Sequence, residues 1–175
     1  MFRFLQIIIL SLFTVSTSLG SPNNNSIDNL LRASNNPKSP LSEKLQLGQL
    51  AINLAQPDSI ILTEAYSNLG SINLRHSLYK EAITNFKKAI LVAKAQNNRK
   101  ELGLNCYLLG NTHTYLDDLN KVKKLYDTSK AIFESIEDNV SLGMIYNSLG
   151  ILYSKKRNTF IPTKHFIVLT IYLTA

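Results

Sequence analysis

Three stretches decide the fold: Tyr66-Ser67-Asn68-Leu69-Gly70, Cys106-Tyr107-Leu108-Leu109-Gly110 and Tyr146-Asn147-Ser148-Leu149-Gly150. Each closes on Leu-Gly, and each has a bulky or apolar residue three places before the Leu. The glycines stand at 70, 110 and 150, so the copies are 40 residues apart. A fixed period in this range marks a solenoid of stacked supersecondary units.

A second pattern runs between the copies. Tyr79, Ala82, Phe86 and Ala89 follow Gly70, and Leu119, Val122, Tyr126 and Ser129 follow Gly110 at the same offsets. Steps of three and four put such residues on one stripe of a helix. Each unit therefore reads as two helices, A and B, joined by turns at His76-Ser77 and Asp117-Asp118. A glycine in A lets B approach closely, and small Ala82 and Ala89 keep the contact thin. Phe86 and Tyr126 fill the remaining space.

These residues resemble the tetratricopeptide repeat, in the 40-residue variety, over roughly residues 60–157. The resemblance implies an all-α fold, a right-handed superhelix of antiparallel helix pairs. Departures from the pattern are Cys106, where the family prefers an aromatic residue, Asn73 and His113, where it prefers Tyr, and Ser129, where it prefers Ala. Upstream, Ser26–Ser34 and Leu41–Ala55 read as a degenerate first unit, with Pro37, Pro40 and Pro57 confined to the breaks.

The chain thus divides into 1–20, 21–57 (polar linker and degenerate unit), 58–158 (two complete repeats and the first helix of a third) and 159–175. Residues 1–20 carry a basic start at Arg3, an apolar run from Phe4 to Val15, and small Ser18 and Gly20 before a cleavage site at Ser21. Those are the three regions of a secretory signal peptide, which places the chain outside the cytoplasm, periplasmic or secreted. An uncleaved segment would instead be a membrane anchor, and the membrane enters only through it. At the other end, Pro162 falls where Ala82 and Val122 stand in the earlier units, and an apolar run follows from Phe166 to Leu173. This tail reads as a strand, as a helix covering the open end of the stack, or as a non-native end left by truncation or a shifted frame. The last is the working expectation.

The chain of 175 residues carries a formal net charge of +7, from 19 Lys and Arg against 12 Asp and Glu. The basic residues are scattered, in groups no tighter than Lys155-Lys156-Arg157, which argues against nucleic acid. Cys106 is the sole cysteine, so stability must come from helix packing. His76, His113 and His165 show no metal-ligand spacing, and no phosphate loop, cofactor motif or catalytic set is present. The expectation is a protein that is not an enzyme, with no cofactor and no metal, with His113 packed in the core.

Family resemblance implies that the A helices line a concave face binding a protein or peptide ligand. That face would carry Asn68, Ser71 and Arg75, then Tyr107, Asn111 and Tyr115, then Asn147 and Ile151. The three Asn amides could both donate to and accept from an extended backbone. The family's basic carboxylate clamp is missing, because its positions hold Ser67, Ser71, Leu104 and Leu108. An export signal followed by such repeats resembles the sensory portion of certain bacterial regulators. A free-standing periplasmic adaptor and a membrane-anchored cytosolic scaffold are the alternatives.

Overall fold

A computed structural model of the chain describes residues 24–57 and 59–156. The expected signal peptide (1–20) and apolar tail (159–175) lie outside them. All regular structure among the described residues is helical, in seven helices: α1 (Asn24–Ser34), α2 (Leu41–Leu54), α3 (Ile60–Arg75), α4 (Tyr79–Ala95), α5 (Arg99–Thr114), α6 (Leu119–Ser135) and α7 (Asn139–Lys156). Each packs on its neighbour in sequence, and α3–α4 and α5–α6 are the most extensive pairs. The architecture is an α-solenoid of antiparallel helix pairs, as the 40-residue period predicts.

The period has a local cause at the turns. Ser77, Asn97, Asp117 and Glu137 all have positive φ, between 52° and 60°, and stand 20 residues apart. In each turn the next N–H bonds back to the carbonyl five residues earlier: Leu78 to Asn73 at 2.9 Å, Asn98 to Ala93 at 2.9 Å, Asp118 to His113 at 3.3 Å and Asp138 to Phe133 at 3.0 Å. This is the Schellman closure, which satisfies the last carbonyls of a helix through one left-handed residue. The following residue then starts the next helix. Asn98, Asp118 and Asp138 accept through their side chains from the N–H groups of Glu101, Lys121 and Ser141. Helices of 16 to 18 residues separated by turns of three or four give the 40-residue repeat.

A left-handed non-glycine residue costs roughly 1–2 kcal/mol. Glu137 is exposed, so Glu137→Gly is expected to stabilise the fold by about 0.5–1 kcal/mol. A urea midpoint that stays or falls would show that the turn is not strained.

Burial repeats with the same register. The alternation of buried and exposed residues over 91–100 is identical to that over 131–140. Ala82, Phe86, Ala89 and Ala93 are fully buried on α4; Val122, Tyr126, Ser129 and Phe133 take their places on α6. Ser129 is tolerated in the core because its hydroxyl donates to the Gly103 carbonyl at 2.7 Å. A Cβ added to Gly70 would lie 2.7 Å from Cε1 of Phe86, and one on Gly110 would lie 2.6 Å from Cε1 of Tyr126. The rings thus sit directly on the A-helix backbone within their own unit, and Phe86 clusters onward with Leu109 of the next.

The first pair packs on α3 in a cluster of its own. Ile27 and Leu30 of α1 and Ala51 and Ile52 of α2 cluster with Ile61, Ala65 and Leu69 of α3. At the other end, α7 repeats the A-helix signature with Tyr146, Leu149 and Gly150. Leu142, Ile145 and Leu149 bury against Val122, Tyr126 and Phe133.

Candidate functional site

The expected binding residues separate into groups. Asn111, Tyr115 and Ile151 come together in one open groove of about 660 Å³ on the A-helix side. Leu74 of α3, Leu119 of α6 and Leu152 of α7 supply its other apolar walls, and Tyr126 and Ser148 its polar floor. Tyr115 is 63% exposed and Ile151 59%, so both present their side chains to solvent at the groove. Tyr115 is held by stacking on Tyr79, with ring centroids 5.3 Å apart and planes at 14°.

The floor is fixed by one hydrogen bond within the α5–α6 unit and one that reaches α7. The Tyr126 hydroxyl donates to Oδ1 of Asn111. Burial first, and then the nearby Tyr107 hydroxyl and Tyr115, push the Tyr126 pKa up to about 12 against the opposing pull of Ser148, so it remains a donor at neutral pH. Tyr107 stacks on Tyr126 at 5.7 Å, and its hydroxyl bonds Oγ of Ser148 at 2.9 Å. Asn111 therefore has its carbonyl oxygen committed to the fold. Tyr107 braces the groove without lining it.

The other expected residues serve elsewhere. Nδ2 of Asn68 donates to Oγ of Ser34 at 2.7 Å, and its Oδ1 accepts from Nδ2 of Asn35 at 2.6 Å. Arg75 also donates to Asn35, at 2.9 Å. These two side chains tie α3 to the end of α1. Ser71 donates to the carbonyl of Ser67, one turn back on its own helix, at 2.9 Å. Asn147 is exposed on α7 and is not among the groove's lining residues. The three amides do not form a ladder, because they fall at different points of the 40-residue register. Asn68 is equivalent to Leu108 and Ser148, Asn111 to Ser71 and Ile151, and Asn147 to Ser67 and Tyr107.

The sequence does not mark Leu74 or Leu152, and it marks Leu119 only as part of the B-helix stripe. Leu119 opens a B helix, and only the crossing of α6 over α5 brings it to the A-helix side. The signal was the repeated apolar start of the B helix, Tyr79 and Leu119.

His113 is 6% exposed and packed, as expected, but its Nδ1 has no hydrogen-bond partner. The Asp118 carboxylate lies 3.9 Å from it, beyond bonding distance. Burial first, and then Lys121 and Lys87, lower the His113 pKa against the opposing pull of Asp118. Cys106 is buried, and desolvation raises its thiol pKa, the reverse of an activated nucleophile. Among the described residues no group of three or more His, Cys, Asp or Glu could hold a metal ion, and no helix is long and apolar enough to cross a membrane.

No family model matches the chain. It is 28% identical over 109 residues to tetratricopeptide repeat protein 29 of the macaque Macaca fascicularis, a match covering 62% of this chain and 22% of that protein. The chain thus spans about a fifth of that relative's length. A helical stack with a 40-residue period, together with this similarity, fits a tetratricopeptide-like family.

Proposed function

We propose that the chain is a protein-interaction scaffold that holds a peptide segment in the groove between α5, α6 and α7. The observation that carries this reading is the convergence of Tyr115, Ile151, Leu74, Leu119 and Leu152 around one open cavity. An aromatic ring braced by a second ring, beside exposed aliphatic side chains, suits an extended segment bearing an apolar anchor residue. Asn111 leaves its amide N–H₂ as a donor for the segment's carbonyls once its oxygen is taken by Tyr126. A scaffold of this kind needs no catalytic group.

The biological setting we favour is the extracytoplasmic repeat region of a bacterial signalling protein. It rests on the signal-like residues 1–20 preceding the repeats. A free-standing periplasmic adaptor is the second reading, and a membrane-anchored cytosolic scaffold the third. Fusing residues 1–30 to an export reporter separates the third from the others: a reporter retained in the cytoplasm excludes export.

Selection of a displayed random peptide library against the full chain tests the groove. Enriched peptides are expected to carry an apolar anchor and to lose at least about tenfold in affinity to Tyr115→Ala combined with Ile151→Asp. Leu91→Asp, on the exposed face of α4, is the control and should leave binding intact. Equal binding to all three proteins would place the ligand site elsewhere.

A further inference from the structure

Among the described residues that line the groove between α5, α6 and α7, one side chain is charged, that of Asp117. Asp117 is exposed in the turn that joins α5 to α6, and no ion pair among the described residues includes it. Its neighbour Asp118 is committed to the fold. The Asp118 carboxylate accepts from the Lys121 N–H at 3.3 Å and pairs with the Lys121 ammonium at 2.6 Å.

The turn itself does not call for a carboxylate at 117. Aspartate enters the left-handed region more readily than most residues. The same conformation nevertheless recurs at Ser77, Asn97 and Glu137, which share no side-chain type with it. In the preceding unit Ser77 stands at the position of Asp117 and Arg75 at that of Tyr115, so the pairing of ring and carboxylate belongs to this groove alone of the two. An unpaired anion at the rim of an apolar groove discriminates ligands by charge.

We propose, resting on the groove reading above, that the bound segment carries a Lys or Arg beside its apolar anchor and that Asp117 sets this specificity. Asn111, Tyr115 and Asp117 follow one another along α5 toward the turn, and Leu119 returns from it. An extended segment advances about 3.3 Å per residue. A cation reaching Asp117 therefore stands within about two positions of a side chain packed between Tyr115 and Leu119. The Asn111 amide, one helical turn and about 6 Å back from Tyr115, meets the backbone on the other side of the anchor. The exposed Tyr115 ring suits the same charge, since Lys88 lies over the Tyr66 ring at 5.4 Å and Lys130 over the Tyr146 ring at 5.6 Å. The chain's net charge of +7 opposes a basic ligand at a distance. Salt confines that field to about 8 Å, and Lys121, the cation nearest Asp117 in sequence, is already paired with Asp118.

Selection of the displayed random peptide library against the full chain reads this specificity. Enriched peptides are expected to carry Lys or Arg within two positions of an apolar residue. Asp117→Asn preserves the side chain's shape and suits the left-handed turn. It should weaken the best of these peptides about threefold to tenfold at low salt, and by less at about 0.5 M NaCl. Reselection against Asp117→Lys should exchange the basic residue for Asp or Glu, a change that a purely structural role of the turn would not produce. Peptides lost to Tyr115→Ala combined with Ile151→Asp, yet bound equally by Asp117→Asn, overturn this inference and leave the groove reading standing. No enrichment, or peptides indifferent to the Tyr115 and Ile151 changes, removes both.

Discussion

Phe86→Ala is expected to lower the stability by about 3–5 kcal/mol, the upper part of the range for core truncations. The ring is fully buried, and its carbons lie within 2.7–3.1 Å of where a Cβ on Gly70 would be. Gly70 offers no side chain that could relax into the space vacated. Ala82 and Ala89, the small residues on either side of it on the same stripe, cannot reach across it either, so most of the void persists. Each pair in a solenoid contacts only its neighbours, so damage at α4 weakens the coupling between α1–α3 and α5–α7. Urea unfolding followed by circular dichroism should show an earlier midpoint and a broadened or divided transition. A loss under about 1 kcal/mol with a single sharp transition would mean that the α3–α4 contact does not hold the stack together.

Gly110→Val is the second large effect, at about 3 kcal/mol lost, the upper end of what overpacking usually costs. A glycine within a helix ordinarily gains up to about 1 kcal/mol when replaced by Ala, so the sign alone is informative. Here the added Cβ meets Cε1 of Tyr126 at 2.6 Å, Cδ1 at 2.7 Å and Cβ of Leu125 at 3.4 Å. Tyr126 cannot swing aside freely, because its hydroxyl is bonded to Asn111 and its ring stacks on Tyr107. Valine adds two further methyl groups to the same gap, so α6 must withdraw from α5. The cost should shrink by about 0.5–3 kcal/mol when Tyr126→Ala is already present, measured as a double-mutant cycle. Strict additivity would show that Gly110 is not chosen for its contact with that ring. The displaced Tyr126 would also release Asn111, so the peptide binding proposed for the groove should weaken in parallel with stability.

The repeat was legible because it is written in spacing. Leu69-Gly70, Leu109-Gly110 and Leu149-Gly150 state the period, and Ala82, Phe86 and Ala89 state the inward stripe of the second helix. The turns at 76–78 and 115–118 fall where the short polar breaks suggested. The role of Gly70 and Gly110 also followed from chemistry alone, since a residue without a side chain on a helix permits close approach of the next one. The left-handed turn residues did not announce themselves. Ser77, Asn97, Asp117 and Glu137 share no side-chain type, because the backbone closure on the preceding helix, rather than any side chain, imposes the conformation.

The proposed binding face was legible only as a helix side. Tyr115 and Ile151 could be placed on the A helices by register, yet the wall they form needs Leu119 from a B helix and Leu74 from the unit before. The polar candidates show the limit most clearly. Asn68 and Arg75 lie on the expected side, but the end of α1 takes their hydrogen bonds, and Tyr126 takes the oxygen of Asn111. Periodicity assigns a residue to a face because each helix repeats its own geometry. Which polar groups on that face are spent holding neighbouring helices together depends on residues 15 to 40 positions away, and only the packed stack decides that.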